Sequence, residues 1–203
     1  MPSDADLSYL RQMAESGERA PLLSGRFFLW WGGLASLALL AHWSILTGLI
    51  AVPVEQVGLV WLVYGVVGGI GSVVLRRGLG GKPGAGSAAN RGDRAVWHAM
   101  MISLIAYVVG IVVAVSMGRV DQVLFDTIPL FAFASYGIAF TTVRALGGPG
   151  WMRPLAWASW VLCAIGVSFV GSSALYLVCA AGVAIVAVLP GILLLRGEPA
   201  AEA

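Results

Sequence analysis

The chain has 203 residues, of which 59% are hydrophobic and 11% charged, with a net charge of +2 and a mean hydropathy of +0.90. Soluble domains carry about 25% charged residues, so a surface this poor in charge points to lipid rather than water as the main solvent. The same figures exclude a disordered chain and, with no long basic cluster, a nucleic-acid-binding domain; two cysteines do not make a disulfide framework.

Residues 1–25 read as a cytoplasmic helix and linker. Ser3 with Asp6 makes a short capping box, and Leu7, Leu10, Met13 and Ala14 recur at helical spacing. An amphipathic helix is expected from Asp4 to Ser16, stopped by Gly17 and Pro21. It is acidic, with Asp4, Asp6, Glu15 and Glu18 against Arg11 and Arg19, and an anionic lipid surface repels such a helix. It also lacks the short apolar core of a cleavable signal peptide. Its complement is the basic loop Arg76 to Arg94, where Arg76, Arg77, Lys82, Arg91 and Arg94 stand against Asp93. The helix is expected to dock there.

Residues 26–197 divide into six apolar spans, each near the roughly 20 residues that cross hydrocarbon as helix. They run from Phe27 to Ile50, Val57 to Leu75, Ala95 to Met117, Val123 to Val143, Leu155 to Val170 and Ala174 to Leu195. Uninterrupted runs of this length are too long and too uniformly apolar for barrel strands, so the fold class is all-α and polytopic. The spans pair as three hairpins. Each begins with Arg then Trp, at Arg26 and Trp30, Arg94 and Trp97, Arg153 and Trp157. Two hairpins share an outer corner, Val54-Glu55-Gln56-Val57 and Val120-Asp121-Gln122-Val123. Eleven of the 12 Lys and Arg residues fall in one set of loops and only Arg119 in the other. Both termini, including the tail 198–203, are therefore expected on the cytoplasmic side. The bias of Arg over Lys suggests a bacterial inner membrane.

Lipid supplies no hydrophobic drive between helices, so small residues are expected to carry the packing: Gly32 and Gly33 in the first span, Gly65 and Gly69 in the second, Gly182 in the sixth. Pro129 and Pro190 fall inside spans and predict kinks. The stretch from Gly78 to Ser87 is rich in glycine, but Pro83 follows Lys82 where a phosphate loop needs Ser or Thr. It reads as a flexible linker.

Ionisable residues at membrane depth are costly and are candidate sites by default. Asp126 is the one charge within the six spans. Arg119, Gln122 and Asp126 are spaced to share a helix face, so Arg119 is expected to neutralise Asp126. His42, Glu55, Arg119, Asp121 and Asp126 together make an outer-side polar mouth that could admit a proton, a cation or an amine-bearing solute. No His or Cys pair at ligand spacing supports a metal, and His98 reads as an interface residue. Cys163 and Cys179 lie at similar depth and are expected to stay protonated and inert. The centre of the bilayer offers only Ser, Thr and Tyr as polar groups.

The six-span, three-hairpin outline is similar to that of small bacterial six-helix acid-resistance membrane proteins, and the length is similar to that of substrate-binding subunits of vitamin transporters. Neither likeness brings motif residues. No cofactor or catalytic residue is expected. The leading expectation is a non-enzymatic accessory or scaffold subunit, in contact with the bilayer and docked to another membrane protein or to itself. The alternative is a small-solute transporter or channel that uses the outer mouth.

Overall fold

The computed structural model describes residues 21–77 and 79–198; the expected helix from Asp4 to Ser16, Gly78 and the tail beyond Glu198 lie outside the described residues. Within them every regular element is helical. The elements are α1 (Gly25–Leu46), a 3-10 turn (Val54–Gln56), α2 (Val57–Arg76), α3 (Ala88–Ser116), a second 3-10 turn (Gln122–Asp126), α4 (Thr127–Ala145), α5 (Met152–Val167), α6 (Ala174–Val183), a π segment (Ala184–Val188) and α7 (Leu189–Arg196). The last three form one rod. Five of the six rods are long and apolar enough to cross a membrane; α5, with 16 residues, is shorter than that.

Several boundaries depart from the apolar runs, each for a local reason. α3 begins at Ala88 rather than Ala95 because the Ser87 hydroxyl accepts from Asn90 N at 3.2 Å and caps the first turn. The fourth rod opens as a 3-10 turn, which the Asp121 carboxylate starts by accepting from Val123 N at 3.0 Å. Pro129 falls in the first turn of α4, where its missing N–H is not needed. Pro190 acts differently. It has no N–H for the carbonyl four residues back, and the rod widens just before it, with Leu189 N–H reaching Ala184 O five residues back.

The core is centred on two antiparallel contacts. α1 runs the full length of the sixth rod in the opposite direction. Gly25 lies under Leu194, Gly32 under Ala187 and Gly191 under Leu29, and the Ser36 hydroxyl faces Ala180 O at 3.5 Å. α4 packs on α5, where the Trp160 indole covers Gly137 and Leu130 covers Gly166. Phe133 and Phe140 of α4 are buried between these pairs, and Phe133 seats on Gly182 of α6. α2 attaches to α1, and α3 to α4. The expected hairpins α1/α2 and α3/α4 are neighbours, whereas α5 packs far more on α4 than on α6. The third hairpin is therefore a chain connection rather than a packing unit.

Candidate functional site

Four elements converge at the end of the bundle away from most of the arginines. His42 lies near the end of α1, four residues before Leu46. Trp61, one turn into α2, donates its indole N–H to His42 Nδ1 at 3.1 Å. An indole nitrogen can only donate, so Nδ1 accepts in this bond. The other face of the ring lies over Tyr176 of α6, with ring centroids 3.6 Å apart and the planes tilted by 36°. The Tyr176 hydroxyl donates to Asp126 Oδ1. Asp126 Oδ2 accepts from Gly171 N at 2.8 Å. Gly171 can serve because it turns the chain between α5 and α6 at φ +81°, a left-handed conformation that costs glycine little.

His42 is 8% and Asp126 9% exposed, so both are largely withdrawn into the bundle. Beside them, Tyr107 of α3 shares a hydrogen bond with Thr127 of α4 at 2.9 Å and stacks on Phe131 at 4.5 Å. Buried polar groups are held by partners, and the partners here sit on different rods. The arrangement is a clasp that fastens α2 to α1, α1 to α6, and α6 to the start of α4.

The expected mouth is therefore assembled only in part. His42 and Asp126 are joined through Tyr176. Glu55 and Asp121 are exposed in the turns that precede α2 and α4, and Asp121 is engaged in capping. Arg119 is exposed in the turn after α3 and makes no ion pair among the described residues. Its expected pairing with Asp126 is corrected: both carboxylate oxygens are occupied by Tyr176 and Gly171. Among the described residues no group of three His, Cys, Asp or Glu side chains could hold a metal, and Cys163 and Cys179 are free thiols.

The glycines separate into two kinds. Gly32 and Gly182 are covered by neighbouring rods, as described above. Gly33, Gly65 and Gly69 meet nothing within 4 Å of where a Cβ would stand, so the expectation that they pack inside this chain is corrected. In α2 that role falls to Gly68 and Gly71, which seat the indoles of Trp31 and Trp30. Each indole also donates across the contact, Trp31 to Ser72 Oγ at 2.9 Å and Trp30 to Gly68 O at 3.2 Å.

The arginine-rich end is knitted together as well. Arg26 at the start of α1 and Lys82 in the loop both pair with Glu198 beyond α7, the lysine at 2.7 Å. Asn90 of α3 accepts from Leu23 N at 2.9 Å and donates to Pro21 O at 2.9 Å, which ties the segment before α1 to α3. Arg76, Arg77, Arg91 and Arg94 are exposed. A cleft of about 180 Å³ opens here between Leu22, Trp151 and Leu194. His98 is exposed on α3 nearby.

Tyr176, Trp61, Gly171 and Asn90 are the functional neighbours that sequence reasoning missed. A buried acid needs donors, and Tyr176 lies at the same depth as Asp126, so matching depths would have found it. Nothing in the sequence marks Trp61 or Asn90. The fold defines an α-helical protein with five helices suited to crossing a membrane. The chain matches no family model, no curated protein and no solved structure.

Proposed function

We propose that the protein is a non-enzymatic membrane subunit that docks a transmembrane helix of another protein, or of a second copy, on α2. The carrying observation is the second glycine face of that helix. Gly58, Gly65 and Gly69 follow spacings that place them on one side of α2. All three are exposed, with nothing within 4 Å of a built Cβ, while Gly68 and Gly71 on another face already carry the tryptophans of α1. Small residues spaced by four let a second helix backbone approach closely in lipid, where dispersion contacts replace hydrophobic drive.

In this reading the chain crosses a bacterial inner membrane six times, with both ends on the arginine-rich cytoplasmic side. The adjacency of Gly25 and Leu194 supports an even number of crossings, in which α5 spans together with the turn residues after it. The acidic segment before Pro21 would then lie on the same side as any cytoplasmic partner surface. Transport through the outer mouth has less support, because His42 and Asp126 are engaged in joining rods.

A photo-crosslinking residue tests the reading. Leu62, beside the glycine face, and Leu37 of α1 are comparably exposed, at 61% and 65%. Crosslinking from position 62 in native membranes is expected to give an adduct of one discrete mass, absent from position 37 and abolished by Gly65→Leu with Gly69→Leu. The idea fails if position 62 yields only lipid adducts and the protein has the native mass of a lone chain in mild detergent.

A further inference from the structure

The end of the loop between α2 and α3 is tied to the helix that follows it. Three consecutive carbonyls, those of Gly84, Ala85 and Gly86, each accept from a side chain in the first two turns of α3. Asn90 Nδ2 reaches Gly84 O at 3.0 Å, Arg94 reaches Ala85 O at 2.9 Å, and Arg91 reaches Gly86 O. The backbone is shaped for this. Gly84 stands at φ +78°, in the left-handed region that glycine adopts at little cost, and Ser87 N returns to Gly84 O at 2.9 Å. Asn90 is buried and anchors the same loop to Pro21 and Leu23. These bonds tie the last part of the expected linker, residues 84–87, to α3.

Their consequence is a juxtaposition of charge. Arg91 and Arg94 are three residues apart, hence neighbours on the helix surface, and they hang from adjacent carbonyls. Both guanidinium groups are thereby turned toward the same short stretch of loop. A guanidinium has five N–H donors, and the carbonyl bond leaves most of them free on two exposed side chains. Neither arginine forms an ion pair among the described residues. Asp93 lies between them in sequence and attracts Arg94, but it is 2% exposed and turns inward to accept from Trp97 Nε1 at 2.9 Å. Arg76 and Arg77, also exposed, stand at the other end of the loop. Two fixed like charges repel unless an anion sits between them, and a phosphate matches the fork of a guanidinium bidentately.

We propose that Arg91 and Arg94 bind the phosphate of an anionic membrane lipid whose acyl chains lie on the outward face of α3. The lipid, rather than soluble phosphate, is indicated by what adjoins the cations. Ile102, Ile105 and Val109 follow Arg94 at helical spacing, and all three are exposed on the apolar surface of the same helix. Basic groups at the cytoplasmic end of such helices recognise lipid head groups in this way. The site is independent of the glycine face of α2 and of the docking reading.

The full chain in mild non-ionic detergent is titrated with phosphatidylglycerol, with phosphatidylcholine and with inorganic phosphate, and bound adducts are counted by native mass spectrometry. Phosphatidylglycerol adducts are expected to exceed those of phosphatidylcholine. They should fall about tenfold in R91Q/R94Q and persist in R144Q, which removes an exposed arginine at the end of α4. Equal retention of the two lipids, unchanged adducts in R91Q/R94Q, an equal loss in R144Q, or displacement of the lipid by equimolar inorganic phosphate would each overturn the proposal. A second measurement needs no variant. Phosphatidylglycerol, and not phosphatidylcholine, should slow hydrogen exchange at residues 79–90 of the unaltered chain, and unchanged exchange there also overturns it.

Discussion

The contact of α1 with the sixth rod and its contact with α2 are both built on glycine, yet they are opposite in kind. Against the sixth rod, glycine brings backbones together: a Cβ on Gly32 would stand 2.7 Å from Ala187 Cβ and 3.1 Å from Val188 N, and one on Gly191 would stand 2.7 Å from Leu29 N. Against α2, glycine makes sockets: a Cβ on Gly68 would stand 2.3 Å from the Trp31 ring, and one on Gly71 2.3 Å from the Trp30 ring. The first contact leaves no room between main chains. The second holds the helices apart by the thickness of an indole. Burial follows the same division, with 44% of the sixth rod's apolar stretch buried against 6% for α2 and for α3. A glycine in a membrane helix thus says that something comes close, but not whether it is a backbone or a ring.

The comparison breaks most sharply at the backbone contact. Gly32→Leu or Gly191→Leu has no flexible atom to displace, since main-chain atoms lie within about 3 Å, and overpacking of this kind costs about 3 kcal/mol. Titration of the purified protein with a denaturing detergent, followed by circular dichroism, should show the transition moved far down or lost. Gly68→Leu is expected to cost less, because α2 can swing away from Trp31; a loss as large as at Gly32 would mean that α2 belongs to the tight half of the bundle. Next in size is Asp126→Ala. It leaves the buried Tyr176 hydroxyl without its acceptor, and one unmet buried donor costs about 1 to 3 kcal/mol in the same assay, whereas Gly171 is exposed. If Asp126→Ala left stability unchanged and Arg119→Ala lowered it, the clasp would be misassigned.

The helical fold was legible because apolar runs of this length leave the backbone one way to satisfy itself in lipid. The ends of the rods were less so. α3 starts early because of one hydroxyl at Ser87, and the sixth rod widens at Ala184–Val188 because Pro190 lacks a donor; such devices change hydropathy hardly at all. In the candidate site, His42 and Asp126 stood out because imidazole and carboxylate are costly in a membrane. Their partners did not, since Trp61 and Tyr176 look like ordinary interfacial aromatics, and Gly171 contributes a main-chain N–H. Helical spacing pairs Arg119 with Asp126, but residues 117–121 form a turn instead. Glycine positions misled for a similar reason: which face of α2 meets α1 depends on where Trp30 and Trp31 point.

The smallest effects sharpen the contrast within α2 itself. Trp61→Phe keeps the ring and removes the donor to His42, and single interhelical side-chain hydrogen bonds in membranes average about 0.6 kcal/mol. The stability change should be near that value, and α2 should stay on α1 because Trp30 and Trp31 still occupy their sockets. Gly65→Leu should do even less to the lone chain, within about 0.5 kcal/mol, because nothing in the fold occupies the space it fills. The same substitution is expected to remove the discrete crosslink from position 62. A large loss of monomer stability from Gly65→Leu would place this face inside the fold and withdraw the docking surface. Unchanged stability with a lost crosslink would separate the two glycine faces of one helix by what each of them meets.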